Sequence, residues 1–226
     1  SLEACNITSI FKNKGSKSDF DRYRRIFRVL VFTSILEKFM YHDEYYKIDA
    51  NLSDANVGAR KGRNIRDNLF VVNAITNNVV NGSGKPCDIA AYDAEKCFDS
   101  LWAEDCINDL FEAGCNDDKL VLLHLGTQNA NIAIKTSSGT TRSINISEIV
   151  MQGTVWSGLI CTNTMNKLCQ EIYKKDSLLY KYSGVVKVPL FEMIDDIITV
   201  SKCGESSIAL NNAVNNFVYR KKLQFS

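Results

Sequence analysis

Asp195 and Asp196 stand side by side between two apolar runs, Val188, Leu190, Phe191, Met193 and Ile194 before them and Ile197, Ile198 and Val200 after them. Apolar, partly β-branched runs broken by a short polar pair read as strand, turn, strand. Adjacent acids at a strand end repel and resist ionising unless a cation joins them. A divalent metal is the usual reason to tolerate that cost. A solvated Asp-Asp turn is the plainer alternative, because Asp favours turns. A third carboxylate bears on the choice. Asp88-Ile89-Ala90-Ala91-Tyr92-Asp93 reads as a strand that ends in an acid and feeds a helix, a position where loops present functional groups.

The remaining elements must hold these acids. Asn6–Lys12 and Tyr23–Ile26 read as strands, with loop chemistry at Lys14-Gly15-Ser16-Lys17-Ser18-Asp19 between them. A helix is predicted from Thr33 or Ser34, with Glu37 completing a capping box and Ile35, Leu36, Phe39 and Met40 on its apolar face. Residues 56–66 form a basic loop in which Gly58 and Gly62 admit close approach and Arg60, Lys61, Arg63 and Arg66 supply charge. A helix follows with Leu69, Val72 and Ile75 as its stripe. Another is predicted over about 100–113, with Trp102, Cys106, Leu110 and Ala113 inward and Gly114 as its stop. Ile132 and Ile134, the turn Ser137-Ser138-Gly139, and Ile144 and Ile146 read as a hairpin. Cys161, Met165, Leu168 and Ile172 share one helical face, and Leu210, Val214 and Phe217 another on a helix that starts near Ser206.

Composition sets the frame. A chain of 226 residues makes one domain or two joined lobes. No apolar run approaches the roughly 18 residues of a membrane span. The amino terminus lacks the basic start and apolar core of a signal peptide. With neither a Met start nor an end signal, the chain reads as an internal piece of a longer protein. Eight cysteines with no Cys-x-x-Cys spacing read as buried thiols of a reducing compartment, the cytoplasm and nucleus, rather than disulfides. Net charge is only +1, but residues 1–70 hold 13 Lys/Arg against 9 Asp/Glu and the remainder 14 against 17. A basic first lobe and an acidic second one suit a phosphate grip beside a metal site, and a solvated basic face explains the asymmetry as well.

The order of these segments resembles that of reverse transcriptases. Asp93 with Phe98 and Asp99, then Gln152-Gly153-Thr154, then Ile194-Asp195-Asp196 are similar to that family's motifs A, B and C. Ile10-Phe11-Lys12, Tyr23-Arg24-Arg25-Ile26 and Gly58-Ala59-Arg60-Lys61-Gly62-Arg63 resemble the finger motifs of the non-LTR (LINE-type) retrotransposon branch. The resemblance spans nearly the whole chain. Departures are Met151 and Gly158 where the branch has Pro, Phe11 and Arg25 where it again has Pro, and Met193-Ile194 where an aromatic and Ala precede the paired acids. None of them removes an acid.

The resemblance implies an α+β fold, a right-hand polymerase with an antiparallel palm sheet backed by helices and no thumb. It divides the chain into fingers at 1–86 and 116–150 and palm at 87–115 and 151–226. It implies RNA-directed DNA polymerase activity on an RNA template, a DNA primer and deoxynucleoside triphosphates, with no membrane. Asp93, Asp195 and Asp196 would hold two Mg²⁺ ions, with Mn²⁺ as a substitute. Lys12 and Arg24 would clasp the triphosphate, Arg60 would lie over the nascent base pair, and Gln152 and Gly153 would bound the nucleotide pocket. Lys61 and Arg63 read equally as template contacts or as solvated charges. A thumb and an endonuclease domain are expected outside these residues, so the isolated piece should be weakly active or inactive. Two other readings are a catalytically decayed or domesticated nucleic-acid-binding module on the same fold, and a two-metal nuclease, which would leave the finger motifs unexplained.

Phe98, five residues after Asp93, stands where the family carries the bulky residue below the sugar. It reads either as that residue or as a first-turn core side chain. Phe98→Ala or Phe98→Val is expected to admit ribonucleotides, measured as the ratio of ribo- to deoxynucleotide incorporation against wild type. An unchanged ratio in a folded variant returns Phe98 to the core.

Overall fold

The computed structural model describes residues 5–127, 130–136, 138–147, 150–184, 186–188 and 190–223. Ser137 of the expected hairpin turn lies outside them. In chain order the elements are β1 (Cys5–Phe11), β2 (Tyr23–Arg28), α1 (Val31–Asn51), α2 (Ile65–Val80), β3 (Cys87–Asp93), α3 (Cys97–Ser100), α4 (Ala103–Glu112), α5 (Asp117–Thr127), β4 (Ala130–Thr136), β5 (Gly139–Thr140), β6 (Ile144–Ile146), α6 (Ser157–Tyr173), β7 (Tyr180–Tyr182), β8 (Val186–Val188), β9 (Leu190–Met193), β10 (Asp196–Lys202) and α7 (Glu205–Arg220). The chain folds into two compact units: Ser1–Ile48 with Phe98–Ile160, and Asp49–Cys97 with Cys161–Ser226.

The first unit is built on a sheet of order β2-β1-β4-β5, with β6 also pairing β4. β1 and β2 form an antiparallel hairpin from Asn6↔Arg28 to Phe11↔Tyr23, whereas β1 and β4 run parallel, Cys5 opposite Ile132. Alternation along β1 sends Cys5 and Ile7 inward, where they meet Phe27, Ile132 and Met151. α4 ends in a Schellman cap: the Gly114 N–H reaches the Phe111 carbonyl and the Cys115 N–H the Leu110 carbonyl. Gly114 has φ +88, so it is the residue that can occupy that position cheaply.

α1 begins earlier than its capping residues suggest. The Ser34 N–H already donates to the Leu30 carbonyl, so Ser34 sits inside the helix. Glu37 is drawn elsewhere: its carboxylate accepts from the Val155 N–H at 3.1 Å and its carbonyl from Trp156 Nε1 at 3.2 Å. Of the expected apolar face only Met40 is buried, while Phe39 is 71% exposed. The helix expected over 100–113 is broken into α3 and α4 at Leu101-Trp102. α5 carries no clear apolar stripe, with Leu120 and Leu123 buried but Val121, Leu122 and Leu125 exposed.

The second unit holds the antiparallel sheet β3-β10-β9 and the separate pair β7-β8. Ile75, Tyr180, Val188, Phe191 and Val200 form one of its cores. On α6 the expected stripe is fully enclosed, with Cys161, Met165, Leu168 and Ile172 each at 0% exposure. Its other faces are buried too. Thr162, Thr164 and Asn166 are enclosed at 1% or less. Thr162 Oγ1 donates to the Gly58 carbonyl and Asn166 Nδ2 to the Asn51 carbonyl, as burial asks of polar groups, whereas Thr164 Oγ1 has no partner among the described residues. Leu210, Val214 and Phe217 bury the inner side of α7. All eight cysteines are free, and only Cys203 is exposed. Among the described residues no helix is long and apolar enough to cross a membrane.

In the first unit Glu44 is buried on α1, with its side chain 1% exposed and Lys47 and Lys119 at 3.0 and 2.9 Å. Burial pushes its carboxyl up, but the hydrogen bonds from Lys119, Lys47 and the Asn116 amide outweigh that and hold it below the usual range. A depressed carboxyl adds stability that is present above its unfolded pKa and lost as pH falls through the folded one. Glu44→Gln should therefore lose about 2 kcal/mol at neutral pH. In thermal melts the gap from wild type should close as pH drops below the ordinary glutamate value of 4.5.

Candidate active site

Asp93, Asp195 and Asp196 are brought to one end of a sheet in the second unit because β3, β9 and β10 are in register. Asp93, the last residue of β3, lies directly opposite Asp196, the first residue of β10. Asp196 is also paired with Met193 of β9, so Ile194 and Asp195 form a two-residue turn with Asp195 at its tip. Like charges directly opposite on neighbouring strands destabilise a sheet. Burial, and then the facing Asp93 carboxylate, push the Asp196 carboxyl above its usual range. The turn is strained as well. Ile194 has φ +61, a region that costs a β-branched residue and that two-residue hairpins ordinarily fill with Gly, Asn or Asp. Stored strain of this kind collects at functional sites.

This chemistry suits a hard divalent cation. Among the described residues no three His, Cys, Asp or Glu side chains form a ready-made cage. Mg²⁺ asks for less: it takes one or two carboxylates, keeps waters, and completes its shell with substrate phosphates. An opposed pair with raised repulsion and a third acid at the adjoining turn fits that demand.

The other expected site residues fall into two groups. In the first unit Lys12 follows β1 and is held by its N–H to the Arg22 carbonyl, and Arg24 lies on β2; both side chains are exposed. Gln152 joins the same strand, its carbonyl accepting from the Phe27 N–H at 2.9 Å. Gly153 has φ +106, and a Cβ there would meet Ile26 Cγ2 and the Phe27 carbonyl at 3.0 Å. So Lys12, Arg24, Gln152 and Gly153 are gathered along the β1–β2 hairpin. Phe98 is half-buried in this unit, and its neighbour Asp99 pairs with Arg25 at 3.7 Å.

Arg60, in the second unit, is placed differently from the expectation that it lies over a base pair. Its guanidinium is 5% exposed and bonded to Asp49 Oδ1 at 2.7 Å, with further bonds to the carbonyls of Asp49, Ser53 and Asn56. It fastens its own loop. Arg63 is ion-paired with Asp54, and Lys61 is exposed.

Asn56 and Glu192 have no part in the sequence reading, yet both are fully buried beside the acidic turn. Asn56 Nδ2 donates to Glu192 Oε2 at 2.7 Å. The one sequence signal was Glu192 itself, a carboxylate inside the apolar strand Leu190–Met193.

The sequence matches the family described as reverse transcriptase (RNA-dependent DNA polymerase) over residues 14–226. No curated protein matches it. Among solved structures it is similar to telomerase from Candida albicans in complex with a TWJ fragment of telomeric RNA, at 11% identity and TM-score 0.70, covering 100% of this chain and 40% of that one. It is similar also to apo telomerase from Candida tropicalis truncated from its C-terminal domain, at 12% identity and TM-score 0.67, covering 100% of this chain and 49% of that one. The chain thus spans less than half the length of these telomerases. Their likeness is one of fold: the α+β palm-and-fingers architecture expected from the sequence.

Asp196 has a raised carboxyl, so it withdraws stability as pH climbs above its unfolded value near 3.8. Asp196→Asn should melt higher than wild type at pH 7 in metal-free buffer. The gap should vanish below about pH 4. A lower midpoint at pH 7 would show that the acids are not in conflict.

Proposed function

This chain belongs to the reverse transcriptase (RNA-dependent DNA polymerase) family, and from that premise we propose that it is the fingers and palm of an enzyme that extends a DNA primer on an RNA template. The finer placement is in the non-LTR retrotransposon branch, supported by the order of its finger motifs. The observation that carries the catalytic reading is the register of β3 against β10, which sets Asp93 opposite Asp196 and Asp195 at the next turn. In this reading the fingers are 1–86 and 116–150 and the palm 87–115 and 151–226, and the protein works inside the cell.

Asp93 and Asp195 would hold two Mg²⁺ ions, with Asp196 assisting. Ions bound there would supply stabilisation of the attacking and leaving oxygens of an in-line displacement at phosphorus. The protein's side chains do the rest. Lys12 and Arg24 make charge-assisted hydrogen bonds to the triphosphate of the incoming deoxynucleotide. Gln152 and Gly153 form a wall of the nucleotide pocket, and the lack of a Cβ at Gly153 lets that wall pack on β2. Phe98 excludes a 2′ hydroxyl. Lys61 and Arg63 contribute phosphate contacts to the template, which set affinity and its salt dependence.

A second reading, a non-catalytic nucleic-acid-binding module, is favoured by one feature: Arg25 stands where the branch has Pro and is tied to Asp99. Primer extension by the full-length protein separates the two. Asp93→Asn and Asp195→Asn should each cut nucleotide addition by about 10²–10³-fold, as loss of a preorganised electrostatic group does. RNA binding should change little. Substantial extension by either variant would remove the acids from catalysis, and a wild type that binds RNA without extending a primer would favour the binding module.

A further inference from the structure

The segment Ser53–Gly58 is fastened on three sides within the second unit. Arg60 Nη1 donates to the carbonyls of Ser53 and Asn56 at 2.7 and 2.9 Å. From α6, Asn166 Oδ1 accepts from the Ser53 N–H at 2.8 Å, and Thr162 Oγ1 donates to the Gly58 carbonyl at 3.1 Å. Against β9, the Val57 N–H donates to the Glu192 carbonyl and the Glu192 N–H to the Ala55 carbonyl, each at 3.0 Å. The segment is in effect a short extra parallel strand on β9, bridged at Asn56↔Glu192.

Its side chains close the arrangement. Asn56 Nδ2 donates both to Glu192 Oε2 at 2.7 Å and to the Thr162 carbonyl at 3.1 Å, while Asn56 Oδ1 accepts from the Gly58 N–H. The segment then reaches the acidic turn. A Cβ on Gly58 would stand 2.3 Å from the Ile194 backbone nitrogen and 3.0 Å from Ile194 Cγ1. Backbone cannot yield as a flexible side chain does, so the turn touches Gly58 at a distance only glycine allows. Ile194 is also the residue held at φ +61.

We propose that Asn56, Gly58 and Glu192 are positioning residues: together they hold the Ile194-Asp195 turn in its strained form and so set the Asp195 carboxylate for metal. This rests on the reading of Asp195 as a metal ligand. The lock uses Glu192 Oε2 as a buried hydrogen-bond acceptor, while Oε1 has no partner among the described residues. Burial pushes the Glu192 carboxyl well above the usual range, against the bonds from Asn56 and the Cys169 amide. A neutral amide of the same shape can do the same work.

The test uses the full-length protein and two readouts. One is Mn²⁺ affinity, followed by the loss of the free-ion paramagnetic resonance signal on binding. The other is steady-state primer extension. Gly58→Ala and Glu192→Ala should each weaken Mn²⁺ binding by about tenfold or more, as loss of an outer-shell partner does. Each should lower kcat by up to about 100-fold, the effect of a misplacement near 1 Å, with KM for the deoxynucleotide little changed. Glu192→Gln should recover most of what Glu192→Ala loses. Gly126→Ala, on α5 with nothing within 4 Å of the added Cβ, is the control.

If Gly58→Ala does not fold, the contrast of Glu192→Ala with Glu192→Gln decides. Wild-type Mn²⁺ affinity and kcat in the folded Gly58→Ala or Glu192→Ala proteins would overturn the proposal. So would a Glu192→Gln protein as impaired as Glu192→Ala, or a lowered melting point with metal affinity intact. A wild type that binds no Mn²⁺ would instead overturn the metal reading of the acids, and the positioning role with it.

Discussion

Two carboxylates forced opposite each other across a sheet are the constraint on which the second unit turns. Hydrogen bonding between β3 and β10 sets Asp93 against Asp196 whatever their charges prefer. The ladder holds because it continues inward over Ile197↔Tyr92 to Lys202↔Cys87, with Ile197 and Val200 buried beneath it. Apolar burial thus offsets a local repulsion that water and counter-ions would relieve if the strands came apart. A conflict of this kind is what a cation at the proposed site would relieve.

The same economy explains the polar interior around Asn56. Buried amides and carboxyls are tolerated when each finds a partner, and they then specify one arrangement where apolar packing would allow several. Thr162, Asn166 and Asn56 are such groups, and the backbone they hold is the backbone that abuts the acidic turn. Arg60 belongs to this set. Two of its four hydrogen bonds hold the loop that follows α1 to itself and two fasten that loop to Asp49 in the last turn of α1, which makes a residue that looks like a ligand contact into a structural tie.

Local pattern made much of this legible in advance. The acidic hairpin, the strand ending at Asp93 and the α6 stripe all announce themselves within ten or so residues, because alternation and helical period are short-range signals. What failed depended on distant partners. The capping signature at Ser34 and Glu37 misled because Glu37 is recruited by Val155, 118 residues away. α5 went unseen because its leucines and valine lie on several faces at once. Arg60 was read by its charge, and charge carries no record of burial. Asn56 and Glu192 stand 136 positions apart, and nothing short-range links them.

The two units also share the chain in an unusual way, each being made of two separated stretches. During synthesis the hairpin β1–β2 emerges first, but its parallel partner β4 follows only after more than a hundred further residues, Cys5 waiting for Ile132. At about 5–20 residues per second, that interval is on the order of ten seconds. Through it one edge of β1 has no ladder, and long-range parallel pairing is slow to form in any case. The second unit cannot close until its own later stretch arrives with α6 and β10. Neither unit can therefore close until its later stretch has been made, and β1 keeps an open edge through that interval.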